Sequence, residues 1–164
     1  MTPTRRAVLL TLPLALLGLG VSIYLAYEHY STSATLACPD TGAINCVKVT
    51  SSSYSELAGV PVALLGLVYY VGIVALCLPV AWRTASPLVS RLRIAALAAG
   101  VGFVFYLVWA ELFRIDAICL WCTVVHVSTV VLFAVVLLLA ALAPPAAGAQ
   151  PMATAPARRG SPAA

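Results

Sequence analysis

Long apolar runs alternate with shorter polar stretches along this chain. Four of the runs carry almost no charge, at roughly residues 7–26, 60–82, 94–110 and 117–142. Each approaches the ~20 residues that a helix needs to cross the hydrocarbon of a bilayer. A helix satisfies its own backbone polar groups, which lipid cannot do. The pattern therefore predicts an all-α integral membrane protein, a four-transmembrane-helix bundle whose third span is the shortest.

The polar stretches divide the chain around this bundle. Residues 28–59 form the long loop between the first two spans, and we expect residues 1–143 to be one membrane domain. Residues 144–164 are rich in alanine and proline. A segment of that composition lacks the apolar residues needed for a packed core. We expect residues 144–164 to be a disordered cytoplasmic tail.

Composition supports the membrane class and argues against others. The 164 residues are 63% hydrophobic and only 9% charged, whereas soluble domains carry about 25% charged residues. The net charge of +4 is spread over flanks and loops, without a basic cluster interleaved with aromatic residues. We therefore expect contact with membrane lipid and no nucleic-acid binding.

The positive residues set the expected orientation in the membrane. Lysine and arginine accumulate in loops that stay in the cytoplasm. The side opposite to most arginines has only Lys48 and Arg114. We therefore expect both termini in the cytoplasm and the 28–59 loop on the outer face. Seven arginines fall on the cytoplasmic side of a four-span arrangement: Arg5, Arg6, Arg83, Arg91, Arg93, Arg158 and Arg159.

Four of the five cysteines form two pairs on the expected outer face. Cys119-Leu-Trp-Cys122 begins the last apolar run, and Cys38 and Cys46 lie in the long loop. A helix N-terminus lowers the pKa of a nearby thiol, and two cysteines three residues apart at such a position lie on one face. Two pairs on one side can pass electrons by thiol–disulfide exchange. The fifth, Cys77, lies within a span and is expected to be a small packing residue.

Two other interpretations of the four outer thiols stay open. A structural zinc site would use them as ligands, although such sites usually combine two short C-x(2–4)-C pairs and the spacing of Cys38 and Cys46 is longer. They could instead form structural disulfides in an oxidising compartment. We predict no metal, with a non-catalytic metal-binding or structural membrane protein as the alternative class.

His126 is a candidate functional residue inside the last span. It follows Cys122 by four residues and Cys119 by seven, so all three lie on one helix face. A histidine within a span is functional by default. It could hydrogen-bond a bound ligand, relay a proton or stabilise a Cys122 thiolate, or else make a structural interhelical hydrogen bond. We interpret Glu111 and Asp116 as solvated helix-end charges.

In combination these motifs resemble the vitamin K epoxide reductase family. The resemblance covers roughly residues 7–142. The motifs that carry it are Cys38-Pro-Asp-Thr-Gly-Ala-Ile-Asn-Cys46-Val-Lys-Val-Thr-Ser-Ser, then Leu57-Ala-Gly-Val-Pro61 with Leu65-Gly66-Leu67 and Tyr69, and Cys119-Leu-Trp-Cys122.

The resemblance implies a role for each motif residue. Cys119 and Cys122 would be the active-site disulfide, with Cys122 facing the quinone. Cys46 would exchange with Cys119, and Cys38 would meet the external partner. Ser52, six residues after Cys46, would hold the loop and the site together as part of the catalytic set, or else cap a short loop helix.

The quinone site departs from the vertebrate pattern at two of its positions. Val62 stands where vertebrate enzymes have an asparagine, and His126 where they have a tyrosine. These departures put epoxide reduction in doubt and fit the bacterial branch of the family. We assign quinone binding to Val62, Leu65, Tyr69 and His126.

The bacterial branch is similar in function to the bacterial disulfide-bond protein B. The resemblance implies a redox enzyme of the bacterial inner membrane that oxidises a thioredoxin-like protein and reduces ubiquinone or menaquinone. Because the chain carries no thioredoxin domain, we expect a separate periplasmic partner of the DsbA type. Reduction of vitamin K epoxide or quinone proper is the alternative activity.

Overall fold

The structure is a computed structural model that describes residues 2–31, 37–38, 41–84 and 86–142. Long apolar helices dominate these residues, as the hydrophobic pattern predicts. Helix α1 spans Pro3–Tyr30, α3 spans Val62–Cys77, α5 spans Pro87–Ala110 and α6 spans Leu120–Ala141. The expected tail, residues 144–164, lies outside the described residues.

Short elements connect the long helices. The loop after α1 contains helix α2 at Cys46–Thr50, a 3-10 turn at Ser53–Ser55, and a two-stranded hairpin of β1 (Glu56–Leu57) and β2 (Val60–Pro61). Helix α4 covers Pro79–Arg83. A π-helical turn at Glu111–Ile115 continues α5.

The helices of the described residues form a membrane bundle. By length and composition, α1, α6 and the segment Pro87–Ile115 are long and apolar enough to cross a bilayer, whereas α3 is a shorter apolar helix. Their outward positions are apolar as well, for example Leu9, Val68 and Phe105, which are all more than half exposed. Apolar side chains on the outside are expected where the surrounding solvent is lipid.

The second apolar run is divided between α3 and α4. Pro79 has no N–H to donate, so α3 cannot continue through it, and the preceding Leu78 takes an extended conformation. As a result α3, with 16 residues, is shorter than α5, with 24. The expectation that the third span is the shortest was therefore wrong.

Two arginines expected in the loop after the second span lie inside α5. Arg91 is exposed, whereas Arg93 is only 3% exposed. The Arg93 guanidinium donates to the backbone oxygens of Leu76 (2.9 Å) and Ala81 (3.3 Å) and lies 3.6 Å from the centre of the Trp82 ring. Arg93 therefore satisfies carbonyl groups left free where α3 breaks.

Two packed clusters organise the molecule. The larger one joins all four long helices through residues such as Ala15, Tyr70, Leu97 and Leu132. The smaller one lies at the loop end and contains Cys46, Val49, Ile115, Ala117 and Cys119. Cys77 is fully buried in the larger cluster, in keeping with a packing role.

Candidate redox site

The loop pair of cysteines forms a disulfide. Cys38 and Cys46 are bonded to each other, with their Cα atoms 6.1 Å apart. Cys46 is the first residue of α2, which begins where the Asn45 side chain accepts a hydrogen bond from the Lys48 N–H (2.8 Å). Cys46 is 1% exposed, whereas Cys38 is partly exposed. The disulfide thus joins an accessible sulfur to a buried one.

Backbone hydrogen bonds dock this loop onto the start of α6. Ile44 and Ile118 form a parallel bridge, in which Asn45 N–H donates to Ile118 O (3.1 Å) and Ile118 N–H donates to Ala43 O (2.8 Å). The Lys48 ammonium adds a bond to the Asp116 carbonyl (3.2 Å). The bridge pairs the chain just before Cys46 with the chain just before Cys119.

The other side of the loop is held near Cys38. The Ala37 N–H donates to the Tyr24 hydroxyl, and the Trp121 indole donates to the Ala37 carbonyl, both at 3.1 Å. The Tyr24 and Trp121 rings meet edge to face with their centres 4.9 Å apart. Because Trp121 lies between Cys119 and Cys122 in sequence, the C-x-x-C motif itself positions the residue before Cys38.

Cys119 and Cys122 are free thiols at the start of α6. Cys119 is fully buried beside Cys46, and as the N-cap of the helix it accepts a hydrogen bond from the Cys122 N–H (3.3 Å). The hydrogen bond from the Cys122 thiol, helped by this N–H, lowers the pKa of the Cys119 thiol despite its burial. Of the two thiols at the start of α6, Cys119 is therefore the one that gives up its proton more readily.

Cys122 opens onto a large cavity inside the bundle. The cavity has a volume of about 950 Å³ and walls from α1, α3, α5, α6 and the loop segment 47–57. Its lining is mostly apolar and includes Leu25, Phe103 and Leu107. The residues assigned to quinone binding from sequence all line it: Val62, Leu65, Tyr69 and His126.

His126 is the buried imidazole of the cavity wall. It is 7% exposed, and within the described part of the chain its ring forms no hydrogen bond. The structural interhelical hydrogen bond considered for it is thus not seen there. Its polar atoms are left available to a molecule in the cavity.

Two neighbouring tyrosines of α3 differ in how their hydroxyls are satisfied. The Tyr70 hydroxyl bonds the Val125 carbonyl (3.0 Å) and the Thr129 hydroxyl (2.9 Å). The Tyr69 hydroxyl is buried against Gly100 without a hydrogen-bond partner among the described residues. Tyr69 therefore presents its ring to the cavity and carries an unsatisfied polar atom in the wall.

Ser52 lines the cavity at the loop end. Its hydroxyl donates to the Val49 carbonyl (2.8 Å), and its own carbonyl accepts the N–H and the hydroxyl of Ser55. It begins the 3-10 turn, but its side chain does not cap that turn. Its hydroxyl instead closes the end of α2, which starts with Cys46.

Glu111 is the functional candidate that sequence reasoning missed. The interpretation of Glu111 as a solvated charge was wrong, because the side chain is only 5% exposed and lines the cavity together with Cys122. Its carboxyl group lies near the Cys119 backbone N–H. Asp116, by contrast, is exposed. Glu111 precedes Cys119 by eight residues in the sequence. That spacing alone does not show that the two residues are neighbours, because a π-helical turn and a left-handed Asp116 lie between them.

The cavity fits a quinone better than the cysteines fit a metal. Ligand sites for such molecules are mostly apolar with a few placed polar groups, and here His126 and Glu111 supply these groups beside the Cys122 thiol. Two of the four paired cysteines, Cys38 and Cys46, are consumed in the disulfide. No three His, Cys, Asp or Glu side chains gather as metal ligands in the described ranges.

Fold and site together define a class of protein: a helical membrane protein with a thiol–disulfide site next to an apolar cavity. The comparison with known families agrees, since the family model described as the vitamin K epoxide reductase family matches residues 9–137, most of the chain. The chain belongs to this family. It is thus a membrane oxidoreductase of thiols and disulfides with a link to quinones.

Proposed function

We propose that the protein oxidises a separate thioredoxin-like protein at Cys38–Cys46 and passes two electrons through Cys119 and Cys122 to a membrane quinone. The observation that carries the proposal is the continuous path of sulfur atoms. Cys38 is the accessible end of the loop disulfide, Cys46 and Cys119 share one buried cluster, and Cys122 lines the cavity.

The first exchange takes place at the loop. A thiolate of the reduced partner attacks the Cys38 sulfur, the Cys38–Cys46 bond breaks, and Cys46 leaves as a thiolate. The second partner thiol then attacks the mixed disulfide, which releases the oxidised partner and reduced Cys38. Attack at Cys38 is favoured because Cys46 is buried.

The second exchange links the two pairs. Cys46 attacks Cys119 of a Cys119–Cys122 disulfide, and Cys122 leaves as a thiolate. Cys38 then attacks Cys46, which restores the loop disulfide and frees Cys119. The product has a loop disulfide and two thiols on α6, which is the arrangement in the structure.

The last step returns the α6 pair to its disulfide. A bound quinone supplies the oxidant, since it takes up two electrons and two protons. Cys122 faces the cavity, Cys119 closes the new disulfide, and the apolar walls keep water away. His126 orients the bound molecule through a hydrogen bond. Ubiquinone and menaquinone are both candidates for the cavity.

Positive charge supports an orientation in which the redox site lies outside the cytoplasm of a bacterial inner membrane. Most arginines belong to the ends of the helices opposite to the cysteine cluster. Both termini are then cytoplasmic, and the disulfides form on the oxidising side. A reporter that is active only in the cytoplasm, fused to either terminus, tests this orientation.

The test of the function combines the full chain in detergent with a reduced thioredoxin-like protein and a soluble quinone. We expect one partner disulfide to form for each quinone lost, as followed by quinone absorbance and thiol titration. The Cys122→Ala variant should abolish quinone loss. Cys46→Ala should block partner oxidation while the Cys119–Cys122 disulfide remains reducible by dithiothreitol.

The fifth cysteine, Cys77, provides a matched control for the Cys46→Ala and Cys122→Ala variants. Cys77 lies in the larger core cluster, far along α3 from the loop, so Cys77→Ala should keep partner oxidation. Normal partner oxidation by Cys46→Ala would contradict the relay. Wild-type protein that reduces no quinone but contains stoichiometric zinc would overturn the enzyme in favour of a metal site.

A further inference from the structure

A buried carboxyl group, that of Glu111, lies in the cavity wall near the thiol pair, and the electron path gives it no role. Glu111 lines the cavity together with Cys122, and its carboxyl group lies near the backbone N–H of Cys119. It also lies close enough to interact electrostatically with both thiols. A buried ionisable group is costly and needs a reason.

The local backbone is built to aim this side chain inward. The π-helical turn Glu111–Ile115 ends at Asp116, which has a left-handed conformation with φ 53°. The Glu111 carbonyl accepts the N–H groups of Asp116 and Ala117, the latter at 3.2 Å. Such π turns are frequent at functional sites. The chain thus reverses at Glu111 and brings Cys119 back against its carboxyl group.

Charge pairing does not account for the burial of Glu111. Within the described ranges, no lysine or arginine forms an ion pair with it. The nearest basic side chains of the loop end have other partners: Lys48 bonds the Asp116 carbonyl, and Arg114 lies 6.0 Å from the ring centres of Tyr54 and Trp109. Glu111 therefore faces thiols and the cavity instead of a cation.

We propose that Glu111 carries a proton from the Cys119 thiol into the cavity while the Cys119–Cys122 disulfide forms. This inference rests on the proposed function, which names a quinone as the oxidant. Forming the disulfide releases two electrons and two protons. Glu111 accepts the Cys119 proton on its carboxylate as the Cys119 sulfur bonds to the Cys122 sulfur, and then releases that proton to a reduced quinone oxygen. The Cys122 proton reaches the cavity directly, since Cys122 lines it.

In this role Glu111 transfers a proton and does not merely stabilise the π-helical turn. General acid–base groups contribute about 10²- to 10⁴-fold to a rate. We expect Glu111→Gln to lower kcat for quinone reduction roughly 100-fold with little change in KM, since glutamine keeps the size of the side chain and its ability to accept a hydrogen bond. Glu111→Asp, which keeps a carboxyl group, should recover part of the rate.

A second readout needs no quinone. Infrared difference spectra of the wild type without quinone, between the reduced and the oxidised Cys119–Cys122 pair, should contain a carboxylic-acid C=O band, because the proton taken from Cys119 then has no quinone oxygen to go to and stays on Glu111. That band should vanish in Glu111→Gln. It should persist in Asp116→Asn, the matched control, whose exposed side chain lies five residues away and whose left-handed backbone suits asparagine.

Each result decides the role of Glu111. A redox-dependent band that is lost together with the rate in Glu111→Gln supports proton transfer. A wild-type spectrum without such a band, or an unchanged kcat in a folded Glu111→Gln variant, overturns it. If wild type shows the band but reduces no quinone, proton exchange between Glu111 and the thiols stands and the proposed oxidant is wrong.

Discussion

The four cysteines of the redox site differ in exposure, and their exposure determines which molecules they can react with. Cys38 is the accessible sulfur of the loop, Cys46 and Cys119 are buried together, and Cys122 faces the cavity. A buried thiol reacts only with a neighbour, whereas an accessible one can meet a second protein. The order of the four sulfurs in the proposed relay follows from this gradient.

The imidazole of His126 provides a residue-scale prediction. Since it forms no hydrogen bond within the described structure and lines the cavity, His126→Phe should weaken quinone binding. Loss of one hydrogen bond of about 1 kcal/mol corresponds to a rise in KM of roughly fivefold. Steady-state kinetics with a soluble quinone measures this KM. An unchanged KM and kcat would indicate that His126 only packs against its neighbours.

Close packing of α1 against α3 depends on a glycine. The Tyr70 ring lies directly against Gly18, where a Cβ atom would collide with it, and the hydroxyl of Tyr70 is fixed to α6 by two hydrogen bonds. Tyr70 is fully buried and cannot move aside. The contact therefore connects α1, α3 and α6 around one side chain.

Gly18→Ala should destabilise the bundle, with Gly20→Ala as its control on the same helix. Overpacking of this kind costs typically 1–3 kcal/mol, whereas a Cβ at Gly20 meets no atom within 4 Å. Thermal unfolding in detergent should shift down for Gly18→Ala and not for Gly20→Ala. Equal stability of the two variants would contradict this packing.

The loop helix α2 gives the second prediction at the scale of elements. Because the Ser52 hydroxyl closes the end of α2 on the Val49 carbonyl, Ser52→Ala should loosen the helix that holds Cys46. Loss of this bond, worth about 1 kcal/mol, should slow partner oxidation several-fold. The rate with dithiothreitol, which reduces the Cys119–Cys122 pair directly, should stay unchanged. A fall in both rates would instead assign Ser52 to the cavity chemistry.

At the scale of the whole molecule, one packed cluster stabilises the bundle and the other contains redox cysteines. The larger cluster holds the four long helices together, and the smaller one joins the loop to the start of α6. The cavity runs along the bundle from the loop residue Ser52 to Ala96 and Thr129. The redox centre thus meets the cavity at the loop end of the bundle.

Sequence periodicity and motif spacing were sufficient to predict the membrane class, the helical bundle and the family. The prediction failed in α3 because hydropathy alone treats Pro79 as part of the apolar run, although proline ends a helix. Arg93 was assigned to a loop because charge alone does not reveal carbonyl groups that need a donor. Glu111 was missed since its contact with Cys119 depends on a π turn and a left-handed Asp116, which local propensity does not encode.

In the proposed relay, electrons pass directly between Cys46 and Cys119. The most direct measurement is mass spectrometry of the Cys38→Ala/Cys122→Ala double variant after mild oxidation, since both resolving sulfurs are then absent. The account predicts a peptide pair joined by a Cys46–Cys119 disulfide, because the two residues share one buried cluster. Free Cys46 and Cys119 thiols in the folded, oxidised variant would contradict it.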